Sequence, residues 1–415
     1  MGTYCDNAMM DLITNRLQYK YEIEYITTTG RETPSYVKQN YYFDMPSFIT
    51  NSEIDFDIMG NVVLWGIKHP LKAYELYDWI STMKNLILKA ILGNNGNVNG
   101  IILHYSVTML LWRIDPDLIK HIPIYILYYA PGLINRTTPW IFDSVLKSPN
   151  FELYNNKHKK SIEDSWESYY RKMSDISMYE KPIEILDTLK KATHIFCWDP
   201  AVTAPYSPVF HELKVKHVGF VHAPALPASK DIMDFILSVQ QTKQTIAFLS
   251  FGSYASSKEL QSILPIIFDS LKKAKYSIIF HIGKETPAPE HDWIKYITNV
   301  YIYQGYLPYN WIVPKCDLVM FTGSVCMQTV CLYNKVRMIF VPLLAEQFFW
   351  ARNYQAFTGV PFCNYLKKNI AFRRDLTIAL KMDRNKEMRY LNRVAKSMRE
   401  KDHDGIEGIS RAIIS

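Results

Sequence analysis

Residues 306–350 read YLPYNWIVPKCDLVMFTGSVCMQTVCLYNKVRMIFVPLLAEQFFW, and this stretch decides the fold. A short apolar run at residues 316–322 is typical of a strand buried in a parallel sheet. It ends at a Gly-Ser pair, after which residues 325–334 have the length of a helix. A second apolar run follows at residues 336–341. The alternation of short apolar runs with a helical segment predicts an α/β fold with a parallel sheet.

Polar residues follow both predicted strands. Thr322, Gly323 and Ser324 come after the first, and Glu346 and Gln347 come shortly after the second. Ligands of doubly wound sheets bind beyond the carboxyl ends of the strands, so both groups stand where a ligand would lie. The N–H groups and dipole of a helix N-terminus favour a phosphate at Thr322–Ser324. Glu346 can accept hydrogen bonds from sugar hydroxyls, and Gln347 can both accept and donate.

This stretch resembles the nucleotide-binding half of the family-one-like glycosyltransferases, and the sterol glucosyltransferase branch in particular. That branch carries VPHDWLFP, HHGGAGTT and PFFGDQPFW, which read here LPYNWIVP (307–314), FTGSVCMQ (321–328) and PLLAEQFFW (342–350). The three segments keep one register without a gap, which is far more specific than a single short motif. The resemblance implies the GT-B architecture, in which two doubly wound, Rossmann-like α/β domains face a central cleft.

The resemblance also implies a nucleotide-sugar donor, UDP-glucose, and a contact for each part of it. The backbone of Leu307 would meet the base, and Gly252 and Ser253, in the family-like segment IAFLSFGS, would meet the phosphates together with Thr322–Ser324. Glu346 and Gln347 would hold the sugar. No metal-binding cluster is evident in the sequence, so no metal and no cofactor beyond the donor itself is expected.

The N-terminal segment gives Asp6 two readings. Residues 2–6, GTYCD, match the G-T-x-x-D that follows the first strand in relatives, where the acid acts as general base on the acceptor hydroxyl. The other reading is a helix N-cap, a position that Asp favours. The strand expected before this motif is missing from the sequence given. A gap in mid-sheet would leave backbone groups unpaired, so we expect an upstream start, a replacement strand or instability.

Several positions of the phosphate segment depart from the family pattern: Thr322 replaces a His, Ser324 a Gly, Met327-Gln328 a hydroxyl pair, and Tyr309-Asn310 a His-Asp pair. Each lost charge-assisted contact would cost about 1.5–3 kcal/mol of donor binding. Two hypotheses therefore stay open. One is an inverting transferase that moves glucose from UDP-glucose to a sterol or another lipid-like alcohol. The other is a degenerate relative that binds a ligand without catalysis.

Composition excludes other classes. With 415 residues, 48% hydrophobic and 21% charged, the chain is long enough for two ordinary globular domains. It shows no signal peptide and no apolar run of about 18 residues, which predicts a cytoplasmic protein. The six cysteines form no CxxC pair and are interpreted as reduced thiols. The charge of +7 is not concentrated in a basic stripe, so nucleic acid is not an expected partner.

Four segments are predicted. Residues 1–226 form an acceptor-side domain, residues 227–243 the linker, and residues 244–383 the nucleotide-sugar domain. The resemblance implies that the helices of residues 384–415 pack back on the first domain. The expected partners are a nucleotide sugar and a small or lipid-like acceptor, and a lipid-like acceptor would bring peripheral contact with a membrane. The sequence does not indicate an oligomeric state.

Overall fold

The computed structural model describes residues 4–28, 34–43, 82, 85–93, 98–104, 119–128, 190–202, 214–221, 229–252, 255, 258–282, 299–305, 307–343, 345–365, 369–400 and 405–414. The chain divides into two compact units. The first unit consists of Met1–Pro200, Pro205–Val221 and Asp404–Ser415, and the second of Ala201–Ala204 and His222–His403. Of the predicted linker, residues 227–243, the first two lie outside the described residues, and Lys230–Gln241 form a helix that belongs to the second unit.

The first unit is built on parallel strands. Its described elements are α1 (Tyr4–Leu17), β1 (Ile23–Thr28), β2 (Val37–Phe43), β3 (Ile101–His104), β4 (Ile124–Tyr128), β5 (Thr193–Phe196) and β6 (Lys214–His217). Strands β1 and β2 form a two-stranded parallel sheet, whereas β3-β4-β5-β6 form a four-stranded one. A single doubly wound sheet was expected, and no described strand joins the two. The prediction of a missing strand stays a prediction.

The C-terminal helix closes the first unit. In this helix, numbered α9 below (Gly405–Ile414), the Gly405 N–H donates to the Phe220 carbonyl at 3.0 Å. A Cβ at Gly405 would lie 2.5 Å from the carbonyl carbon and oxygen of Phe220, and one at Gly408 would lie 2.8 Å from the Cβ of Val218. Small residues at these two positions let the helix backbone approach the chain after β6.

The second unit holds a five-stranded parallel sheet in the order β11-β10-β7-β8-β9. Its elements are α2 (Lys230–Gln241), β7 (Thr245–Ser250), α3 (Lys258–Lys273), β8 (Tyr276–Ile282), β9 (Val300–Gln304), α4 (Tyr309–Ile312), β10 (Leu318–Phe321), α5 (Val325–Asn334), β11 (Arg337–Phe340), α6 (Ala345–Thr358), α7 (Asn369–Lys381) and α8 (Asn385–Glu400). The strands predicted at residues 316–322 and 336–341 are present as β10 and β11, each shortened by one or two residues at its ends. The predicted helix over residues 325–334 is present as α5.

A buried ion pair ties four elements of the second unit together. The Arg337 Nε on β11 lies 3.2 Å from the Glu387 Oε2 on α8, and their side chains are 3% and 0% exposed. The Tyr354 hydroxyl on α6 donates to the Glu387 Oε1 at 2.6 Å. The guanidinium also donates to the carbonyls of Ala379 and Leu380 at the end of α7. Helix α8 therefore lies in the second unit, and of the predicted segment 384–415 the first unit holds α9.

Candidate functional site

Three chain segments converge at the carboxyl edge of the second unit's sheet. Strand β10 lies between β7 and β11, so the ends of these strands are neighbours. After β10 the chain turns through Thr322, Gly323 and Ser324 into α5, and β11 is followed by a short loop into α6. The structure thus brings the two polar groups predicted from the sequence to the same edge.

Gly323 and Gln347 are in direct contact. Gly323 has φ +116°, and a Cβ built on it would lie 3.1 Å from the Cβ, 3.2 Å from the Cα and 3.2 Å from the carbonyl oxygen of Gln347. Only glycine adopts this backbone conformation without strain and leaves room for the neighbouring helix. The turn predicted to hold a phosphate therefore packs against the first turn of α6, which carries the predicted sugar ligands.

The turn itself presents backbone donors. Ser324 is the N-cap of α5, with extended backbone angles of φ −63° and ψ 136°, and its side chain makes no capping hydrogen bond. Thr322 is buried. The first N–H groups of a helix have no partner within the helix, and the dipole adds partial positive charge at this end. An anion placed against Thr322–Ser324 would meet these groups.

Gln347 is fixed by its own loop. Its side chain is 5% exposed, and its Oε1 accepts the N–H of Leu343 at 2.8 Å. This bond assigns the orientation of the amide, so Nε2 is the atom with hydrogen atoms to donate. Glu346 is the second residue of α6, and its carboxylate lies outside the described part of the structure.

The other predicted donor contacts lie near the same edge. Leu307 precedes α4 and is 3% exposed, so its side chain is buried. Gly252 follows β7 with φ +56°, and nothing lies within 4 Å of a Cβ built on it. Ser253 lies outside the described residues. The donor contacts proposed for these residues stay predictions.

The interpretation of Asp6 as a helix N-cap differs from the structure. Helix α1 begins at Tyr4, so Asp6 is a residue of the first helical turn and not the N-cap. The motif at residues 2–6 does not determine where this helix starts or how long it is. Asp6 belongs to the first unit, its carboxylate lies outside the described part of the structure, and its catalytic role stays a prediction.

Sequence reasoning missed a polar network at this edge. The Ser250 Oγ lies 2.9 Å from the His281 Nδ1 and 3.2 Å from the Tyr309 hydroxyl, and the His281 Nε2 lies 2.9 Å from the Gly305 carbonyl. Burial lowers the pKa of His281, which keeps the imidazole neutral. The available signal was a polar residue at or near the carboxyl end of two otherwise apolar strands, TIAFLS and YSIIFHI.

Two departures from the family pattern fall on buried positions. Met327 is 1% exposed and Gln328 is 0% exposed. Neither polar atom of the Gln328 amide has a hydrogen-bond partner among the described residues. Cys316 and Cys331 are buried and form no disulfide bond within the described part of the chain. The interpretation of the six cysteines as reduced thiols stays a prediction.

Within the described ranges, no group of three or more His, Cys, Asp and Glu side chains is arranged to hold a metal ion. No described helix is both long enough and apolar enough to cross a membrane.

Comparisons with known proteins identify the fold. No family model matches the sequence, and no curated protein matches it. Among solved structures, Arabidopsis thaliana UGT89C1 in complex with UDP-L-rhamnose is similar over 98% of this chain and 95% of its own, with a TM-score of 0.59 and 10% identity. A UDP-glucosyltransferase from Polygonum tinctorium that glucosylates indoxyl matches with a TM-score of 0.59 and 11% identity, over 98% and 95%. Phytolacca americana UGT2 matches with a TM-score of 0.58 and 12% identity, over 98% and 96%.

At these identities the likeness shows the fold. The chain has the α/β GT-B fold of UDP-glycosyltransferases, and the fold class predicted from the sequence is confirmed.

Proposed function

We propose that this chain is a glycosyltransferase that moves a hexose, glucose from UDP-glucose, to a hydroxyl group of an acceptor. The observation that carries the proposal is the contact between Gly323 and Gln347 at the carboxyl edge of the second unit's sheet. It joins an anion-binding turn to a helix start that carries a carboxylate and an amide. A diphosphate linked to a sugar needs both features side by side. The GT-B fold adds support, since the similar structures include one in complex with UDP-L-rhamnose.

The proposed donor site divides by chemistry. The diphosphate binds at Thr322–Ser324 and at Gly252 and Ser253, mainly through backbone N–H groups. The hexose binds Glu346 and Gln347, whose carboxylate and amide match sugar hydroxyls. The backbone of Leu307 binds the base. The proposal includes no metal and no cofactor beyond the donor.

The proposed reaction is a single displacement. Asp6 removes the proton of the acceptor hydroxyl while its oxygen attacks the anomeric carbon. The bond from that carbon to the diphosphate oxygen breaks, and UDP leaves with the bonding electron pair. The N-terminal N–H groups of α5 stabilise the negative charge that develops on the diphosphate. Attack opposite the leaving group inverts the anomeric configuration. We propose a sterol or another lipid-like alcohol as the acceptor, following the branch that the sequence resembles.

A non-catalytic binding protein is the second candidate. It is favoured by Met327 and Gln328, which stand where the family has hydroxyls. Methionine cannot donate a hydrogen bond to a phosphate. The chain would then bind a nucleotide sugar weakly, or it would bind a different ligand.

Calorimetry with UDP and with UDP-glucose tests the donor site. We expect micromolar binding of both by the wild type. Glu346→Ala should weaken UDP-glucose by about tenfold or more and leave UDP nearly unchanged, because the carboxylate is assigned to the sugar. Glu400→Ala is the control, since Glu400 is an exposed carboxylate at the end of α8, paired only with the exposed Lys396 among the described residues.

The outcomes separate the candidates. No binding at millimolar ligand by a folded sample would overturn the donor assignment. If the chain binds UDP-glucose but releases no UDP with any of a panel of alcohol acceptors, the result would favour the non-catalytic binding protein. If the chain is an enzyme, Asp6→Asn should abolish most UDP release and keep the donor affinity.

A further inference from the structure

A hydrogen-bonded chain of four groups links successive elements at the carboxyl edge of the second unit. Ser250 ends β7, His281 is the penultimate residue of β8, Gly305 follows β9, and Tyr309 begins α4. The imidazole contacts Ser250 through Nδ1 and Gly305 through Nε2, each at 2.9 Å. The serine oxygen lies 3.2 Å from the Tyr309 hydroxyl. His281 is 5% exposed and Ser250 is 4% exposed.

The direction of every bond follows from one carbonyl. The Gly305 oxygen can only accept, so the His281 Nε2 carries the hydrogen and donates it. A neutral imidazole then has an unprotonated Nδ1, which accepts the hydroxyl hydrogen of Ser250. The single hydroxyl hydrogen of Ser250 is used there, so its oxygen accepts the hydrogen bond from Tyr309. Tyr309 therefore donates to Ser250, Ser250 donates to His281, and His281 donates to Gly305.

One side chain thereby fixes both ends of a loop. His281 holds Gly305 directly and Tyr309 through Ser250. Leu307, the residue assigned to the base of the donor, lies between these two points. The same imidazole packs between aromatic rings, at a centroid distance of 6.1 Å from Phe248 and 6.1 Å from Tyr303. The loop is thus anchored to the sheet edge by the end of β8.

We propose that His281 is a positioning residue for the nucleoside half of the donor. It holds the backbone at Gly305 and at Leu307–Tyr309 in the conformation that receives the base, and it does not touch the ligand itself. This inference rests on the proposed function, since it assumes that Leu307 meets the base. The role needs both ring nitrogens, because Nδ1 and Nε2 hold opposite ends of the loop.

Two variants separate positioning from packing. His281→Leu keeps an apolar side chain between the rings and removes both hydrogen bonds. His281→Gln places an amide N–H near the position of Nε2 and can still donate to Gly305. The matched control is His194→Leu, because His194 is also buried and bonds a tyrosine, Tyr128, through Nδ1 at 2.9 Å, but in the first unit.

Affinity is measured by calorimetry for UDP, uridine and inorganic pyrophosphate, with the weak ligands titrated in competition with UDP. Positioning predicts that His281→Leu weakens UDP and uridine by the same factor, about tenfold, as expected for the loss of two neutral hydrogen bonds. Pyrophosphate should bind as in the wild type. His281→Gln should recover part of the loss, and His194→Leu should lower the melting temperature without changing UDP affinity.

Unchanged uridine and UDP affinity in a folded His281→Leu variant would overturn this inference and leave the proposed function standing. Equal weakening of all three ligands would also overturn it, because the effect would then be general to the unit. A folded wild type that binds neither UDP nor uridine would overturn the proposed function, and this inference with it.

Discussion

Replacing Gly323 by alanine tests the geometry on which the candidate site depends. The backbone at Gly323 has φ +116°, and the added methyl would lie 3.1–3.2 Å from three atoms of Gln347, two of them in the backbone of α6. Backbone in such a region costs a non-glycine residue about 1–3 kcal/mol. Crowding a packed contact costs about 1–3 kcal/mol more. Because helix backbone cannot swing aside as a flexible side chain does, both costs apply.

We therefore expect Gly323→Ala to lower the stability of the second unit by about 2–6 kcal/mol. For a unit of this size, about 2 kcal/mol corresponds to a fall of about 4–8 °C in the melting temperature. Donor affinity should fall as well, because relief of the contact moves the turn away from α6. The assay is calorimetric unfolding with and without UDP.

Gly93→Ala is the control for this prediction. Gly93 lies in a helical segment, residues 85–93, and nothing lies within 4 Å of a Cβ built on it. Alanine should there be neutral or stabilise by up to about 1 kcal/mol, because it has the higher helix propensity. A Gly323→Ala variant whose melting temperature stays within about 1 °C of the wild type would refute the reasoning, since that is well under the shift that 2 kcal/mol implies.

Gly405→Ala should destabilise the first unit by about 1–3 kcal/mol, because its methyl would overlap the Phe220 carbonyl, and the melting temperature reports the loss. Glu387→Gln should cost about 3–5 kcal/mol in denaturant unfolding because it leaves Arg337 buried without its counter-charge. The double variant Arg337→Met/Glu387→Leu should lose less free energy of unfolding than Glu387→Gln alone. A loss equal to the sum of the two single substitutions would contradict the interpretation. Burial lowers the pKa of His281 in the folded protein. The contribution of its neutral imidazole to stability is therefore fully present above the unfolded-state pKa of about 6.5, and it is lost as the pH falls below that value. Melting curves between pH 7.5 and about 5 should show a shallower fall for His281→Gln than for the wild type.

The elements of the second unit could be predicted because its strands are short, apolar and separated by turn residues. Helix α5 matches the predicted residues 325–334, because a Gly-Ser turn starts it and a residue in the left-handed conformation, Lys335, ends it. The strand ends were less accurate. Apolar residues continue beyond the hydrogen-bonded ladder on both sides of β11, with Val336 before it and Val341 after it, so composition alone extends the strand.

Partners distant in the sequence could not be predicted. Ser250 and His281 are 31 residues apart, and Ser250 and Tyr309 are 59 apart. Their contact depends on the register of β7 against β8, in which Ser250 pairs with His281, and no local pattern specifies that register. The ion pair between Arg337 and Glu387 likewise places α8 in the second unit, although the family resemblance suggested the first.

The first unit was predicted less well, because its described strands divide between two sheets where a single doubly wound sheet was expected. Asp6 was assigned from a five-residue motif, and a motif of that length does not determine where a helix begins. That this unit binds the acceptor stays a prediction.

The geometry weakens the argument that the departures in the phosphate segment make against donor binding. The features that would bind a diphosphate here are the turn at Gly323 and the N–H groups that begin α5, and neither depends on the side chains that have changed. Replacing a hydroxyl by Met327 removes one donor but leaves the dipole of α5 and its first N–H groups in place. Likewise, the contact between Gly323 and Gln347 would set the separation of the proposed phosphate and sugar subsites, largely through backbone atoms. A sequence can therefore lose side-chain contacts to the phosphates, and with them affinity, while it keeps the backbone arrangement proposed here to orient a nucleotide sugar.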